Sequence, residues 1–255
     1  MNGFLPELEA AALYDRFASV LSRLDEAAKT SGRDKGAIRL IAISKTHPAA
    51  MVAELFRIWN DATPTFGENY VQEAVEKQMD VASLLVKSPS TVWRTMPEWH
   101  FVGHVQSRKA KDITGRFSLI HTLDSEKLAE QIRKTVLVEN LPPQPVLIQI
   151  NIGDEEQKFG VAVEEAERFL TTVAAIPEIR VAGLMCLPPF FAEAEASRPY
   201  FVKLRETRDA LCRATGLALP HLSMGMSHDC ETAIAEGATL VRIGTDIFGP
   251  RPAKM

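Results

Sequence analysis

The chain has 255 residues, of which 46% are hydrophobic and 24% are charged, and these values are typical of a globular protein. Its length suits one barrel-type domain or two smaller ones. The net charge of -4 gives no global attraction to nucleic acid or membranes, and apolar runs are interrupted before they could span a bilayer. The first residues lack the pattern of a signal peptide, and three scattered cysteines indicate free thiols. We therefore expect a cytoplasmic protein.

Hydrophobic periodicity predicts helices and strands that alternate along the chain. The first helix covers residues 5 to 30, where apolar side chains recur at helical spacing. Further helices are predicted near residues 49–59, 71–86, 109–111, 125–139, 163–175 and 198–215, and one begins near 229. Eight strands are predicted near residues 38, 65, 99, 119, 146, 181, 221 and 239. Residues 87–97 contain Ser, Thr and Pro and are predicted to form a surface loop.

The order of these elements predicts the fold. Eight βα units in one chain of this length indicate an α/β protein with a TIM (β/α)8 barrel. We place the barrel at about residues 38–251 and treat residues 1–255 as a single domain, because no repeat or low-complexity segment marks a boundary. A doubly wound open sheet is the alternative, since periodicity alone does not distinguish it from a closed barrel.

The strand that leads to Lys45 ends beside the first candidate for a reactive residue, which is Lys45 itself. Residues 38–43 are mostly Ile and Leu, as expected for a strand buried on both faces of a parallel sheet. The strand ends before Pro48. A lysine at the carboxyl end of a barrel strand lies where barrel enzymes keep their active sites, and a desolvated amine there is a nucleophile for aldehydes. The alternative is a lysine whose stem covers the core while its ammonium reaches water.

If the sheet closes, the polar residues at the strand ends share one mouth. They are Lys45, Asn69, His104, Asp124, Asn151, Ser227, Arg242 and Thr245. The loops after strands seven and eight of TIM barrels often bind phosphate. Here Gly244 permits close backbone approach, and Ser223, Ser227 and Thr245 supply hydroxyl groups. The alternative is ordinary turn chemistry, with Asp229 as the N-cap of the next helix.

Arg242 lies within the apolar eighth strand and must find a partner if it is buried. That partner is either an acidic side chain at a strand end or a ligand with an anionic group or a ring nitrogen. A lysine, a phosphate site and an arginine are together the parts needed to hold pyridoxal phosphate. An arginine beside the pyridine nitrogen does not readily protonate it, so the ring would be a weak electron sink.

Several motifs resemble the pyridoxal phosphate homeostasis protein family. They lie at residues 41–46, 66–73, 99–107, 146–160, 183–185, 222–227 and 241–249. The resemblance covers about residues 38–251 and implies the fold of the N-terminal domain of alanine racemase, a fold type III protein. It implies pyridoxal 5'-phosphate bound to Lys45 as an internal aldimine, a Schiff base. It also implies that Arg242 faces the pyridine nitrogen and that Ser227, Gly244 and Thr245 hold the phosphate.

The resemblance places two further residues, Asn69 beside the ring and Ser223 near the phosphate. Two departures from the family pattern are visible. His47 stands where many members have a second lysine, so a transfer role for that lysine is not carried over to this chain. The predicted loop at 87–97 is longer than is usual in the family.

The family is thought to buffer or deliver the cofactor without established catalysis, and its partners would be apo forms of cofactor-dependent enzymes. A racemase of this fold needs a tyrosine base from a second domain. This chain has only Tyr14, Tyr70 and Tyr200 and ends shortly after the eighth strand. We therefore expect a monomeric carrier that is not an enzyme. The alternatives are a low-activity racemase or decarboxylase that uses the same cofactor, and a Schiff-base aldolase that uses Lys45 on phosphorylated sugars.

Overall fold

A computed structural model describes residues 4–61, 63–87, 96–155 and 159–250 of the chain. Eight parallel strands close into a barrel in which each strand pairs with the next and β8 pairs with β1. The strands are β1 (Arg39–Ile43), β2 (Thr65–Glu68), β3 (Glu98–Phe101), β4 (Leu119–Leu123), β5 (Gln144–Ile150), β6 (Ile179–Cys186), β7 (His221–Met226) and β8 (Leu240–Ile243). The predicted TIM barrel is confirmed, and the doubly wound open sheet is wrong because both edges of the sheet are paired.

Helices surround the barrel. They are α1 (Glu7–Thr30), α2 (Ala49–Ile58), α3 (Val71–Lys87), α4 (Ala110–Ile113), α5 (Glu126–Glu139), α6 (Ala166–Ala174), α7 (Arg198–Thr215), α8 (Cys230–Ala235) and α9 (Thr245–Phe248). The helix α1 packs on α2, α8 and α9 through an apolar stripe that includes Leu13, Phe17, Val20 and Leu24. It thereby covers the outside of the barrel where the first and last strands meet.

The alternation of side chains along each strand separates two apolar regions. One large cluster lies between the sheet and the helices, and strand residues such as Leu40, Phe66 and Val241 belong to it. A second, smaller cluster fills the barrel interior and consists of Ile41, Leu119, Leu147, Ala182, Met185 and Leu240. Inward-facing positions above that cluster are therefore the ones that reach the mouth of the barrel.

The predicted elements differ from the structure mainly at their ends. The strand predicted over residues 99–104 is β3, which ends at Phe101, because the chain turns sharply after it. The helix predicted over 163–175 begins with a short 3-10 turn, Val163–Glu165, before α6. Of the loop predicted at 87–97, residues 88–95 lie outside the described residues. Asp229 occupies the N-cap position of α8, but its side chain accepts a hydrogen bond from the Met226 N–H at 2.7 Å instead of capping the helix.

Candidate cofactor site

A cavity of about 680 Å³ opens at the carboxyl ends of the strands. Six of the seven predicted site residues line it: Lys45, Asn69, Ser227, Arg242, Gly244 and Thr245. The rest of its wall includes the apolar segment 187–191 and Met226. Three other polar residues predicted at the mouth, His104, Asp124 and Asn151, are not among the lining residues. The closed sheet thus brings together groups that lie up to 200 positions apart in the sequence.

Lys45 reaches the cavity because of the alternation in β1. Ile41 faces the barrel interior, Ile43 packs against the same interior cluster, and Lys45 follows on the same side as both. The next residue, Thr46, has a positive φ of 66°, a conformation that is costly for a β-branched residue. The chain therefore needs strong local contacts to hold the turn that carries the lysine.

A buried ionic cluster supplies those contacts. The ammonium of Lys77 on α3 donates to the Ser44 carbonyl at 2.6 Å, to Glu68 at 2.7 Å and to Glu73 at 2.8 Å. The Ser44 hydroxyl donates to the same Glu68 oxygen at 2.6 Å, and Glu73 accepts the Thr46 N–H at 2.5 Å. Burial raises the pKa of Glu68, and the nearby ammonium opposes that rise. Both neighbours of Lys45 are thus held by one ionic cluster, Ser44 by Lys77 directly and Thr46 through Glu73.

Asn69 follows β2 and carries a buried acceptor without a protein partner among the described residues, its Oδ1 atom. Its backbone lies against Gly103, where a Cβ would come within 2.2 Å of the Asn69 carbonyl oxygen. Only glycine permits this approach of the two loops. An unpaired buried oxygen in a cavity wall is costly unless a ligand donates to it, so it fits the hydroxyl group of a bound molecule.

The loops after β7 and β8 bring Ser227, Gly244 and Thr245 to one side of the cavity. A Cβ at Gly244 would lie 3.2 Å from the Ile43 carbonyl oxygen, so the glycine allows β8 to end close to β1. Arg23 of α1 contacts both loops and stabilises them. Its guanidinium donates to the Ser227 carbonyl at 2.9 Å, to Glu231 at 2.7 Å and to Asp246 at 2.5 Å.

Arg242 is 4% exposed and faces the barrel interior below the cavity. It donates to the Ser223 hydroxyl at 2.5 Å and to the Cys186 carbonyl at 3.0 Å. The alternative of an acidic partner has no counterpart in the part of the chain that the structure describes, where both acceptors are neutral oxygens. Burial lowers the pKa of Arg242 from its usual value. A guanidinium carries five N–H donors, so donors remain for a ligand.

Ser223 is the predicted site residue that does not line the cavity. It is fully buried beneath Arg242 and is 2.8 Å from the ring nitrogen Nδ1 of His121. Its predicted place near a phosphate stays a prediction, and the contacts that the structure gives it are with the arginine and the histidine. His47, in contrast, is buried, lines the cavity and stacks on Phe248 with ring centroids 5.2 Å apart.

Sequence reasoning missed two residues that shape the site. Lys77 lies on the buried stripe of α3, together with Ala74, Val81 and Leu85. A lysine in such a stripe is a signal that could have identified it. Arg23 gives no comparable signal, because its partners come from the far end of the chain.

Comparisons with known proteins identify the family of this chain. The family model for the N-terminal domain of alanine racemase matches residues 17–252. A curated relative from Aquifex aeolicus, a pyridoxal phosphate homeostasis protein, is 42% identical over 237 residues, which are 93% of this chain and 97% of the relative. The chain belongs to the pyridoxal phosphate homeostasis protein family. A second member, from Pseudomonas aeruginosa, is 39% identical over 94% of this chain and 96% of its own.

A solved relative carries the cofactor that gives the family its name. PipY from Synechococcus elongatus was solved with pyridoxal phosphate bound, and it is 29% identical to this chain. The match has a TM-score of 0.73 and covers 89% of this chain and all of PipY, at 100%. In the described residues, no helix has the length and hydrophobicity that are needed to cross a bilayer.

Proposed function

We propose that this protein binds pyridoxal 5'-phosphate and takes part in its homeostasis in the cytoplasm, holding the cofactor for release to apo enzymes without turning over a substrate of its own. The observation that carries the proposal is the placement of Lys45, Arg242, Ser227, Gly244 and Thr245 around one cavity. The name shared by the curated relatives and the cofactor bound to PipY support it.

Each group in the wall has a part in holding the cofactor. Lys45 forms the Schiff base with its aldehyde, while Ser227, Gly244 and Thr245 bind the phosphate. The bound cofactor supplies an aldehyde that captures amines and a ring that can stabilise a carbanion. Arg242 donates to the ring nitrogen and keeps it unprotonated, which weakens the ring as an electron sink. The unpaired Oδ1 atom of Asn69 accepts from the ring hydroxyl.

The cavity also lacks a part that a racemase requires. None of the three tyrosines, all of which lie within the described residues, lines it, and Tyr14 and Tyr70 are exposed on the surface. A second base on the opposite ring face is therefore not supplied by a tyrosine of this chain. Carrier function also agrees with the names of the curated relatives, which are those of homeostasis proteins.

The decisive experiment locates the cofactor. We expect protein saturated with pyridoxal phosphate and reduced with borohydride to carry one added cofactor, which peptide mass spectrometry assigns to Lys45. An adduct on another lysine, or none, would overturn the proposal. Incubation of the loaded protein with L- or D-alanine should give no enantiomer exchange at rates typical of enzymes. Turnover at such rates would instead establish the racemase alternative.

Replacement of Arg23 tests whether the loops after β7 and β8, here called the phosphate loops, bind the phosphate group. We expect Arg23→Ala to weaken binding of pyridoxal phosphate by about tenfold, because charged hydrogen bonds to both loops are lost. Binding of pyridoxal, which lacks the phosphate, should be unchanged within about twofold. Arg133→Ala, which removes an arginine paired with Glu130 on the surface of α5, is the matched control. Equal losses for the two vitamers would contradict the phosphate assignment. Isothermal titration measures the affinities of the wild type and of both variants for the two vitamers.

A further inference from the structure

A line of polar side chains crosses the interior of the barrel from the cavity to the opposite end. It starts at Arg242 on β8, continues through Ser223 on β7, His121 on β4 and His100 on β3, and ends at Glu98, the first residue of β3. The first four are at most 4% exposed. Barrel interiors are normally filled by branched apolar side chains, so such a line is unusual for the fold.

The contacts along the line are continuous. The Arg242 guanidinium donates to the Ser223 hydroxyl, which lies 2.8 Å from Nδ1 of His121. Nε2 of His121 is 3.0 Å from Nδ1 of His100. Nε2 of His100 is 3.5 Å from a carboxylate oxygen of Glu98, whose other oxygen accepts from Arg39 at 3.0 Å. The buried end of the line therefore connects to a carboxylate that reaches water.

The direction of these hydrogen bonds follows from the chemistry of Arg242. A guanidinium only donates, so the oxygen of Ser223 accepts from it. Nδ1 of His121 is the one other partner that the described residues offer to this hydroxyl, so the hydroxyl proton must go there or remain unsatisfied. His121 then carries its proton on Nε2 and donates to Nδ1 of His100. The proton of His100 lies on Nε2 and points to Glu98.

The charges agree with that direction. Burial lowers the pKa of His121 well below its usual value, and the positive charge of Arg242 acts in the same sense. Burial also lowers the pKa of His100, and it outweighs the opposing effect of the Glu98 carboxylate. The neighbouring His100, Ser118 and Arg39 hold the pKa of Glu98 at about 2. The line thus has a cation at one end, an anion at the other and two neutral rings between them.

We propose that Ser223, His121, His100 and Glu98 are positioning residues for Arg242. Hydrogen bonds run in one direction from Arg242 through Ser223 and His121 to His100, whose Nε2 faces Glu98 at 3.5 Å, and they fix the guanidinium plane so that its remaining donors face the cavity. Without Ser223, the Cys186 carbonyl would be the one acceptor that the described residues give to this buried cation. The identity of the ligand that meets Arg242 rests on the proposed function, but the hydrogen-bond chain itself does not.

The first test uses the wild-type protein without cofactor. Nitrogen NMR of histidine-labelled protein at neutral pH should show His121 and His100 neutral, each with its proton on Nε2. In Ser223→Ala the His121 resonances should change, because its Nδ1 loses the hydroxyl donor. A proton on Nδ1 of either ring, or a charged ring, would overturn the proposal, whether or not the protein binds pyridoxal phosphate.

The second test measures the effect on the ligand. Ser223→Ala should weaken pyridoxal phosphate binding by about fivefold to tenfold, the effect of one charged hydrogen bond, and Ser223→Thr should restore most of it because the hydroxyl returns. Thr114→Val is the matched control, since it removes a buried hydroxyl that donates to the Ala110 carbonyl and belongs neither to the line nor to the cavity wall. It should lower the melting temperature but leave the affinity unchanged. Equal losses of affinity in Ser223→Ala and Thr114→Val would show that the line has a purely structural role and would reject the proposal.

Discussion

Lys45→Ala should abolish covalent attachment of pyridoxal phosphate. Borohydride reduction should then leave the mass of the protein unchanged, and the visible absorption of the Schiff base should be absent. Noncovalent binding through the phosphate loops and Arg242 should persist with an affinity lower by at least about a hundredfold, which is about 2.8 kcal/mol. The physical reason is that the amine that reacts with the aldehyde belongs to Lys45, which lines the cavity two residues after the end of β1.

The control for this variant is Lys35→Ala. Lys35 is exposed, with 68% of its side chain accessible, and it pairs with Asp25 on the surface. It should keep the full adduct and the absorption of the wild type. Retention of a stoichiometric adduct in Lys45→Ala, on any lysine, would refute the assignment of the attachment site. Circular dichroism of the unloaded proteins shows whether each variant keeps the fold.

Lys77→Met should be the most destabilising single change near the site. It removes the partner of Glu68, a fully buried carboxylate, and it frees the Ser44 carbonyl. Breaking a buried ion pair by deleting one partner costs about 3–5 kcal/mol, which is a large part of the free energy of unfolding of a typical domain. The loss should shrink as the pH falls through the raised pKa of Glu68, since the protonated carboxyl is no longer a buried charge.

The matched control is Lys134→Met, because Lys134 is an exposed lysine that pairs with Glu130 four residues earlier on α5 at 3.6 Å. Its effect on unfolding by urea should stay within about 0.5 kcal/mol. In the double variant Lys77→Met with Glu68→Gln, part of the stability should return, since no buried charge is left unpaired. If Lys77→Met and Lys134→Met have the same midpoint, the buried cluster does not support the turn at Thr46.

Lys77→Met also separates an effect on the stability of the fold from an effect on the placement of Lys45. Ser44 and Thr46, on either side of Lys45, contact Lys77 and its partner Glu73. Well below its melting temperature, Lys77→Met should therefore form the Schiff base more slowly and bind pyridoxal phosphate about tenfold more weakly. An unchanged rate of adduct formation would show that the cluster supports only the fold.

Much of this protein could be predicted from its sequence. The barrel followed from eight apolar strands separated by helices, and the place of Lys45 after the carboxyl end of β1 was enough to expect it at the mouth of the barrel. The positions of Ser227, Gly244 and Thr245 after the seventh and eighth strands indicated one wall of the cavity. These features are local patterns, and a closed parallel barrel converts the end of every strand into part of one mouth.

Other features depended on the tertiary structure. These features are hydrogen bonds and ion pairs between elements that are distant in the sequence, and no local sequence pattern predicts such contacts. The guanidinium of Arg23 joins α1 to loops more than 200 residues later. Lys77 of α3 contacts Ser44, and its partner Glu73 contacts Thr46 on the other side of Lys45. Ser223 belonged by sequence to the phosphate cluster, yet the alternation in β7 turns it into the barrel beneath Arg242. The sequence determined the residue types and their order along each strand. The closure of the barrel decided which polar groups meet inside it. The physical reason is that a buried polar group needs a hydrogen-bond partner, and that partner comes from whichever strand lies opposite.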